Sequence, residues 1–362
     1  MKNNHTRWID TIPIRKGEEL NITVLEDFLA ENIPGLGPEP LKVDQFPSGA
    51  SNLTYRLQKG KWEAVLRRPP LGPVAPKAHD MGREFKILQA VHPHFPLAPE
   101  PMLFSDNLEI VGSPFVILER KHGIVLDRTF PEHIIPTKEL CRNISVKMIE
   151  TLVSLHSIDY KETALTSMVK PEGFLTRQVK GWIERYERAK TDKIDGVDNL
   201  MNWLQANIPN TLESTIIHYD FKLNNTMFEH NLKEIVGLFD WEMTTVGDPL
   251  CDLAGMFVYW IEAADSDEFH DQSHSKITTM AGFMTHNELV EAYSVKSGRD
   301  IAHFNFYLTL AFFKNAVITQ QIYYRYKLGQ TKDERFASFN KHTEYYFKKA
   351  MKAMSNSNYR SL

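Results

Sequence analysis

The sequence predicts an α+β fold with two lobes: a small antiparallel β-rich lobe at the N-terminus and a larger, mainly helical lobe after it. Three observations predict it. Between residues 41 and 118, short apolar runs alternate with turn residues; beyond about 120, apolar residues recur at helical spacing; and short strand-like runs interrupt these helices around a polar segment at 218–225. The expected division is an N-lobe at 1–118 and a C-lobe at 119–362.

The elements follow in order. Leu20, Ile22, Val24, Leu25, Phe28 and Leu29 form a helix-like pattern that Pro34-Gly-Leu-Gly-Pro-Glu-Pro40 ends. Strands are expected at 41–46, 53–57 and 62–67, separated by turns at Pro47-Ser-Gly-Ala-Ser-Asn52 and Lys59-Gly-Lys61. A Pro-rich loop at 68–76 precedes a helix at 83–91 with Phe85, Leu88 and Val91 on one face, and Ile110-Val111 with 114–118 would complete an antiparallel sheet. In the second lobe Met148, Leu152 and Leu155 mark one helix, 174–188 and 200–206 mark others, and aromatic helices at 305–327 and 334–354 close the chain. No internal repeat is present, and the last residues, from Ser355, read as a frayed end.

Composition narrows the function classes. The 362 residues are 42% hydrophobic and 24% charged, enough for a large core, and a net charge of −4 gives no general attraction to nucleic acid or anionic membrane. No apolar run approaches the ~20 residues that span a bilayer; the stretch 254–261 reads as a buried helix. The start, Met1-Lys-Asn-Asn-His-Thr, lacks an apolar signal core, and two cysteines, Cys141 and Cys251, suit a reducing compartment, so a cytoplasmic location is expected.

The chemistry concentrates in His218-Tyr-Asp-Phe-Lys-Leu-Asn-Asn225 and Phe239-Asp240-Trp241-Glu242. Phosphoryl transfer needs a base for the attacking hydroxyl and ligands for Mg²⁺, and protein kinases take an Asp and an Asn from one loop and a second Asp after the next strand. Asp220 fits the base, with Asn225 and Asp240 as metal ligands and His218 and Lys222 in support. The apolar run Glu234-Ile-Val-Gly-Leu-Phe239 reads as the strand that delivers Asp240. The plainer alternative is that Asp220 and Asn225 only satisfy turn backbone. Asp240 is not followed by Phe-Gly, and no Ala-Pro-Glu follows, which argues against a protein kinase and towards a relative.

A cleft of this type also needs a loop over the phosphates, a strand cation and a helix carboxylate. The loop at 47–52, with Ser48, Gly49, Ser51 and Asn52, lets backbone N–H groups approach phosphate, although a plain hairpin fits it as well. Arg67 ends the third strand and offers phosphate a bidentate guanidinium, with Glu84 as its partner or else as an exposed helix residue. Gly247-Asp248-Pro249 reads as a helix start, with a third metal ligand at Asp248 as the alternative, and Asp252 is expected to bond the catalytic loop from the following helix.

At these positions the chain resembles the aminoglycoside phosphotransferase/choline kinase superfamily, and within it the branch whose members occur alone in bacteria or fused to acyl-CoA dehydrogenases. The resemblance is carried by Ser48-Gly-Ala-Ser-Asn-Leu-Thr-Tyr55, Val65-Leu-Arg-Arg-Pro-Pro70, Ala78-His-Asp-Met-Gly-Arg-Glu84, Arg177-Gln-Val-Lys-Gly-Trp182, the 218–225 loop, the run from Asp240 to Ala254 and the segment 312–329. It implies a bilobal protein-kinase-like fold and ATP- (or GTP-) and Mg-dependent phosphorylation of a small-molecule hydroxyl. It assigns Asp220 as base, Asn225 and Asp240 as metal ligands, Arg67 to nucleotide phosphate, Glu84 to orienting it, and Leu118-Glu119-Arg120 to the hinge beside adenine. Tyr219 departs from the family, which usually has Gly there; Tyr is expected to alter the backbone beside the base or to fill part of the pocket.

Other clusters admit bland readings. His270, His274 and Asp271 stand in an acidic stretch with Asp265, Asp267 and Glu268 that reads as solvated surface, or as a receiver for a cationic substrate. Arg177, Lys180, Arg185 and Arg188 form a basic ladder that reads as an outer helix face, or as a site for an anionic substrate such as a CoA thioester. The branch resemblance favours a hydroxyacyl-CoA acceptor over an aminoglycoside or amino alcohol, and a non-catalytic nucleotide-binding regulator is the remaining class. The expected partners are nucleotide and small molecule, without nucleic acid or membrane, and the sequence carries no signal for an oligomeric state.

Overall fold

Alternation of burial along the first strands sets the architecture of the N-terminal half. In the computed structural model, which describes residues 10–47, 52–71, 79–210, 213–263, 275–331 and 333–355, the chain divides into two compact units. The first comprises residues up to His122 together with Gly237–Glu242; the second comprises Gly123–Val236 and the residues from Met243 on. The segment carrying Asp240 therefore groups with the first unit, whereas the sequence reading placed it in the C-lobe.

In the first unit, α1 (Ile22–Asn32) precedes β1 (Lys42–Gln45), β2 (Leu53–Lys59) and β3 (Trp62–Arg68); α2 (Met81–Val91), β4 (Pro101–Ser105), α3 (Leu108–Val111) and β5 (Phe115–Glu119) follow. The five strands form one sheet in the order β1-β2-β3-β5-β4, every neighbouring pair antiparallel. Ala64, Leu66 and Arg68 of β3 are buried, and the two apolar members join Tyr55, Leu57, Leu25 and Leu29 in one core. Arg68 is tolerated there because its guanidinium is satisfied by the Tyr55 hydroxyl and the carbonyls of Glu18 and Val111. Since strand side chains alternate, Val65 and Arg67 point to the opposite face.

One strand assignment is corrected. Ile110-Val111 is not in the sheet but ends the short helix α3, whose start Asn107 caps by accepting from the Glu109 N–H (3.0 Å) and whose end is Gly112 at φ 81°. The caps decide it: Asn before and Gly after a four-residue apolar run are helix punctuation. The strand the sequence reading lacked is β4, which pairs β5 with an irregular register between Pro101 and Leu103.

In the second unit β6 (Ile124–Val125) leads into α4 (Lys138–His156), α5 (Phe174–Ala189) and α6 (Val197–Ala206); β7 (Thr215–Ile217), β8 (Thr226–Phe228), β9 (Ile235–Leu238) and β10 (Thr245–Gly247) come next, and α7 (Leu250–Tyr259), α8 (His286–Ser297), α9 (Phe304–Lys327) and α10 (Phe339–Ser355) complete it. Strand β9 carries the chain from the second unit into the first. Helix α9 is the spine, packing against α5, α7 and α10 through buried Phe312, Phe313, Ala316 and Val317. Trp182 and Trp260 are buried as packing residues. Among the described residues no helix is long and apolar enough to cross a membrane.

Candidate active site

Within the first unit, the outward face of β3 presents Arg67. Its guanidinium pairs through Nη1 with Glu84 of α2 and lies 3.2 Å through Nη2 from Asp240 Oδ1. The Asp80 side chain caps α2 by accepting from the Arg83 N–H (2.9 Å), which sets the helix that carries Glu84. Glu84 is completely buried, and its second oxygen has no hydrogen-bond partner. Burial pushes its carboxyl up to about 7; Arg67 opposes this, and Asp240 and Glu242 add to it.

Asp240 stands at φ 69°, the left-handed region that a residue with a Cβ rarely enters. The neighbouring turn is held in place: Trp241 is buried and donates through Nε1 to the Leu238 carbonyl (2.7 Å), and Arg83 donates to the Glu242 carbonyl. Asn52 donates to the Glu242 carboxylate (3.5 Å), and His79 Nδ1 lies 3.6 Å from it. Of the predicted loop residues the structure thus brings Asn52 to Glu242, while Ser48, Gly49 and Ser51 lie outside the described residues. Leu118 is buried on β5 opposite Val65. The Arg120 guanidinium is committed to Asp10 (2.9 Å) and Glu63 (3.0 Å), so its side chain is a structural ion-pair group.

The second unit holds the 218–225 loop. Strand β7, buried at all three residues and paired antiparallel with β10, delivers His218 into the interior. Asp252, in the first turn of α7, accepts from the backbone N–H groups of His218 (2.7 Å) and Tyr219 (2.6 Å), and its Oδ2 also lies 3.2 Å from His156 Nε2. On its other side the His156 ring places Nδ1 2.8 Å from the Tyr293 hydroxyl. The helix-borne Asp252 thus bonds the loop backbone, and His156 joins it.

Asp220 is oriented from two sides. Lys222 reaches both its carboxylate oxygens, at 2.8 and 3.0 Å, and Asn225 Nδ2 donates to its Oδ2 and its backbone carbonyl, each at 2.9 Å. With its nitrogen used in this way, the Asn225 amide has its oxygen left for a cation. Asn225 offers an amide oxygen in the second unit and Asp240 a carboxylate oxygen in the first, each a donor type that hard cations accept. The described residues contain no group of three or more His, Cys, Asp or Glu side chains able to hold a metal. Asp248 has both oxygens engaged, by the Leu250 N–H (3.1 Å) and the Tyr307 hydroxyl (2.7 Å), which fits a helix start rather than a metal ligand.

Tyr219 has φ 65°, a left-handed conformation that costs a residue with a Cβ roughly 1–2 kcal/mol. The departure from Gly therefore leaves a glycine-like backbone, occupied by tyrosine. Lys314 of α9 donates to the Tyr219 carbonyl (3.3 Å) and sits 3.5 Å over its ring, and burial lowers the Lys314 amine to about 8. The sequence reading missed Lys314, His156 and Gln178, whose Oε1 accepts from the Tyr219 hydroxyl; for Lys314 the signal was a lone charge in a mainly apolar and aromatic helix segment. Arg177, Lys180, Arg185 and Arg188 are all exposed on α5, an outer helix face, and His270, Asp271, His274 and their acidic neighbours lie outside the described residues.

The family model of the phosphotransferase enzyme family, APH, matches residues 42–282. The chain belongs to this family. The chain is 34% identical to acyl-CoA dehydrogenase family member 11 of Rattus norvegicus over 334 residues, which make up 90% of this chain but 42% of that protein. The chain thus spans less than half the length of that relative. Among solved structures, a protein provisionally named an aminoglycoside phosphotransferase from Ralstonia eutropha superposes with a TM-score of 0.78 at 24% identity, covering 93% of this chain and 98% of the other. Choline kinase from Cryptosporidium parvum gives 0.61 at 15% identity, covering 91% and 94%. The aminoglycoside phosphotransferase APH(4)-Ia, in ternary complex with ADP and hygromycin B, gives 0.59 at 14% identity, covering 92% and 99%. These likenesses establish the kinase-like fold.

Proposed function

We propose that this protein transfers the γ-phosphoryl group of ATP to a hydroxyl of a small molecule, with Asp220 as the base. The observation that carries the reading is the order of the 218–225 loop, in which Asn225 and Lys222 together fix the Asp220 carboxylate. A carboxylate held this firmly suits a reaction that depends on alignment. The acceptor oxygen attacks the γ-phosphorus, the bond from that phosphorus to the β,γ-bridging oxygen breaks, the hydroxyl proton passes to Asp220, and ADP leaves. Arg67, aligned by Glu84, contributes charge to the nucleotide phosphates. Leu118 and its neighbours adjoin the adenine. Asn225 and Asp240 would hold Mg²⁺, which supplies charge neutralisation on the phosphate oxygens.

For the acceptor we favour a hydroxyacyl-CoA. Two cationic side chains, Lys222 and Lys314, adjoin the base or the residue before it, a poor setting for the ammonium of an amino sugar or amino alcohol. The relative named acyl-CoA dehydrogenase family member 11 points to acyl-CoA chemistry in the same direction. The test is nucleotide turnover by the purified protein with Mg²⁺, beside Asp220→Ala, across hydroxyacyl-CoAs, amino sugars and amino alcohols. Stimulation by hydroxyacyl-CoAs that the substitution abolishes is expected. Stimulation by amino compounds alone would overturn the acceptor assignment, and nucleotide binding with no stimulated turnover would favour a regulatory binding protein.

A further inference from the structure

Tyr219 is the residue whose ψ sets the direction of Asp220, and it is held at every polar atom. Its N–H donates to Asp252 (2.6 Å), its carbonyl accepts from Lys314 (3.3 Å), and its hydroxyl donates to Gln178 Oε1 on α5 (3.0 Å). The ring lies under the Lys314 ammonium at 3.5 Å from the centroid and meets the Phe174 ring edge-on at 5.9 Å. A tyrosine at φ 65° persists only where its surroundings over-determine it. Asp252 and Gln178 each hold one end of the residue. Among the described residues Lys314 alone is seen to engage both the carbonyl, whose plane fixes ψ, and the ring.

We propose that Lys314 is a positioning residue that clamps Tyr219 in the left-handed conformation and so aims the Asp220 carboxylate at the acceptor. The assignment rests on Asp220 being the base. It explains how this chain carries a bulky side chain at a position where glycine would need no support: the side chain that makes the conformation costly also supplies the aromatic face that the clamp grips. Lys314 does not reach the reacting atoms in this account; it acts through residue 219.

The experiment compares wild type, Lys314→Met, Lys314→Arg, Tyr219→Gly and the double variant Lys314→Met/Tyr219→Gly. Two readouts are taken: kcat and KM with MgATP, and hydrogen exchange of the backbone amides at 218–220, with the α10 amides as a folding control. Lys314→Met should lower kcat by about tenfold or more while leaving the nucleotide KM within about twofold, because alignment and not binding is lost. The amides at 218–220 should lose about tenfold in protection while α10 is unchanged. Lys314→Arg should recover most of both, since a guanidinium can bond the carbonyl and cover the ring. In the Tyr219→Gly background, Lys314→Met should change kcat by less than about twofold. Equal damage from Lys314→Met in both backgrounds would overturn the clamp and assign Lys314 to substrate itself, and unchanged protection at 218–220 would overturn it as well. If wild type turns over no acceptor, the kinase reading fails by itself, and the exchange comparison still decides the clamp.

Discussion

Nη2 of Arg67 lies 3.2 Å from Oδ1 of Asp240, while Nη1 of the same guanidinium pairs with the buried Glu84. One cation therefore serves two carboxylates of different standing, one enclosed and one partly open to solvent. Arg67→Met leaves Glu84 buried without its partner and should cost about 3–5 kcal/mol in urea unfolding. Adding Glu84→Gln should restore most of that stability without restoring turnover. Recovery of both together would assign the pair a structural role alone.

Glu84 also sets a pH dependence. Its carboxyl is raised to about 7 against an ordinary value of 4.5, so between those values the folded state binds more protons than the unfolded one. The stability it contributes is complete below pH 4.5 and is lost as pH rises through about 7. The slope from this one group is at most about 1.4 kcal/mol per pH unit. Thermal melts from pH 4.5 to 7.5 should show a shallower fall for Glu84→Gln than for wild type; identical slopes would remove Glu84 as the cause.

Asp252 accepts from two loop amides and faces His156, so Asp252→Ala strands buried donors at about 1–3 kcal/mol each. Unfolding should report a loss of that order, and any folded fraction should show a lower kcat. Asp252→Asn, which can accept through one oxygen only, should fall between the two. A variant with native stability and native kcat would be incompatible with this role.

Metal dependence separates the ligand candidates. Chelation of divalent cations should abolish turnover and Mg²⁺ should restore it. Asn225→Ala should raise the half-saturating Mg²⁺ concentration by about 10–100-fold, and Asp240→Asn should lower kcat by about 100-fold or more. Asp248→Asn should leave the Mg²⁺ requirement unchanged.

Tyr307→Phe removes only the hydroxyl that bonds Asp248 and should cost about 1 kcal/mol with unaltered kcat. A fall in kcat measured at saturating substrates would mean that the start of α7 bears on the chemistry.

The order of elements was readable because strand alternation and helical periodicity are properties of neighbours in sequence. Trp62 to Arg68 shows it directly: the alternation that marks the strand also fixes which side Arg67 faces. Ile110-Val111 misled because two β-favouring residues outweighed the cap signals on either side. Asp220, Asn225 and Asp240 stood out because their spacing is local. Lys314, His156 and Gln178 did not, since each comes from a distant helix and is joined to the loop only by folding. Tyr219 was visible as a departure, but that its backbone would stay left-handed depends on those same distant partners.

The first unit is not continuous along the chain. Leu238 donates to the Leu97 carbonyl (2.8 Å), Trp241 packs its ring edge against Phe95 at 5.9 Å, and Arg83 is completed by the Glu242 carbonyl. During synthesis these contacts cannot close until residue 242 has been made, so a nascent chain that has reached His122 waits with part of this unit's interior unfilled. Such long-range closure is slow, because loop entropy is lost before the contacts repay it. An isolated fragment ending at His122 would carry the whole sheet yet expose the surface that Trp241 covers, which favours aggregation.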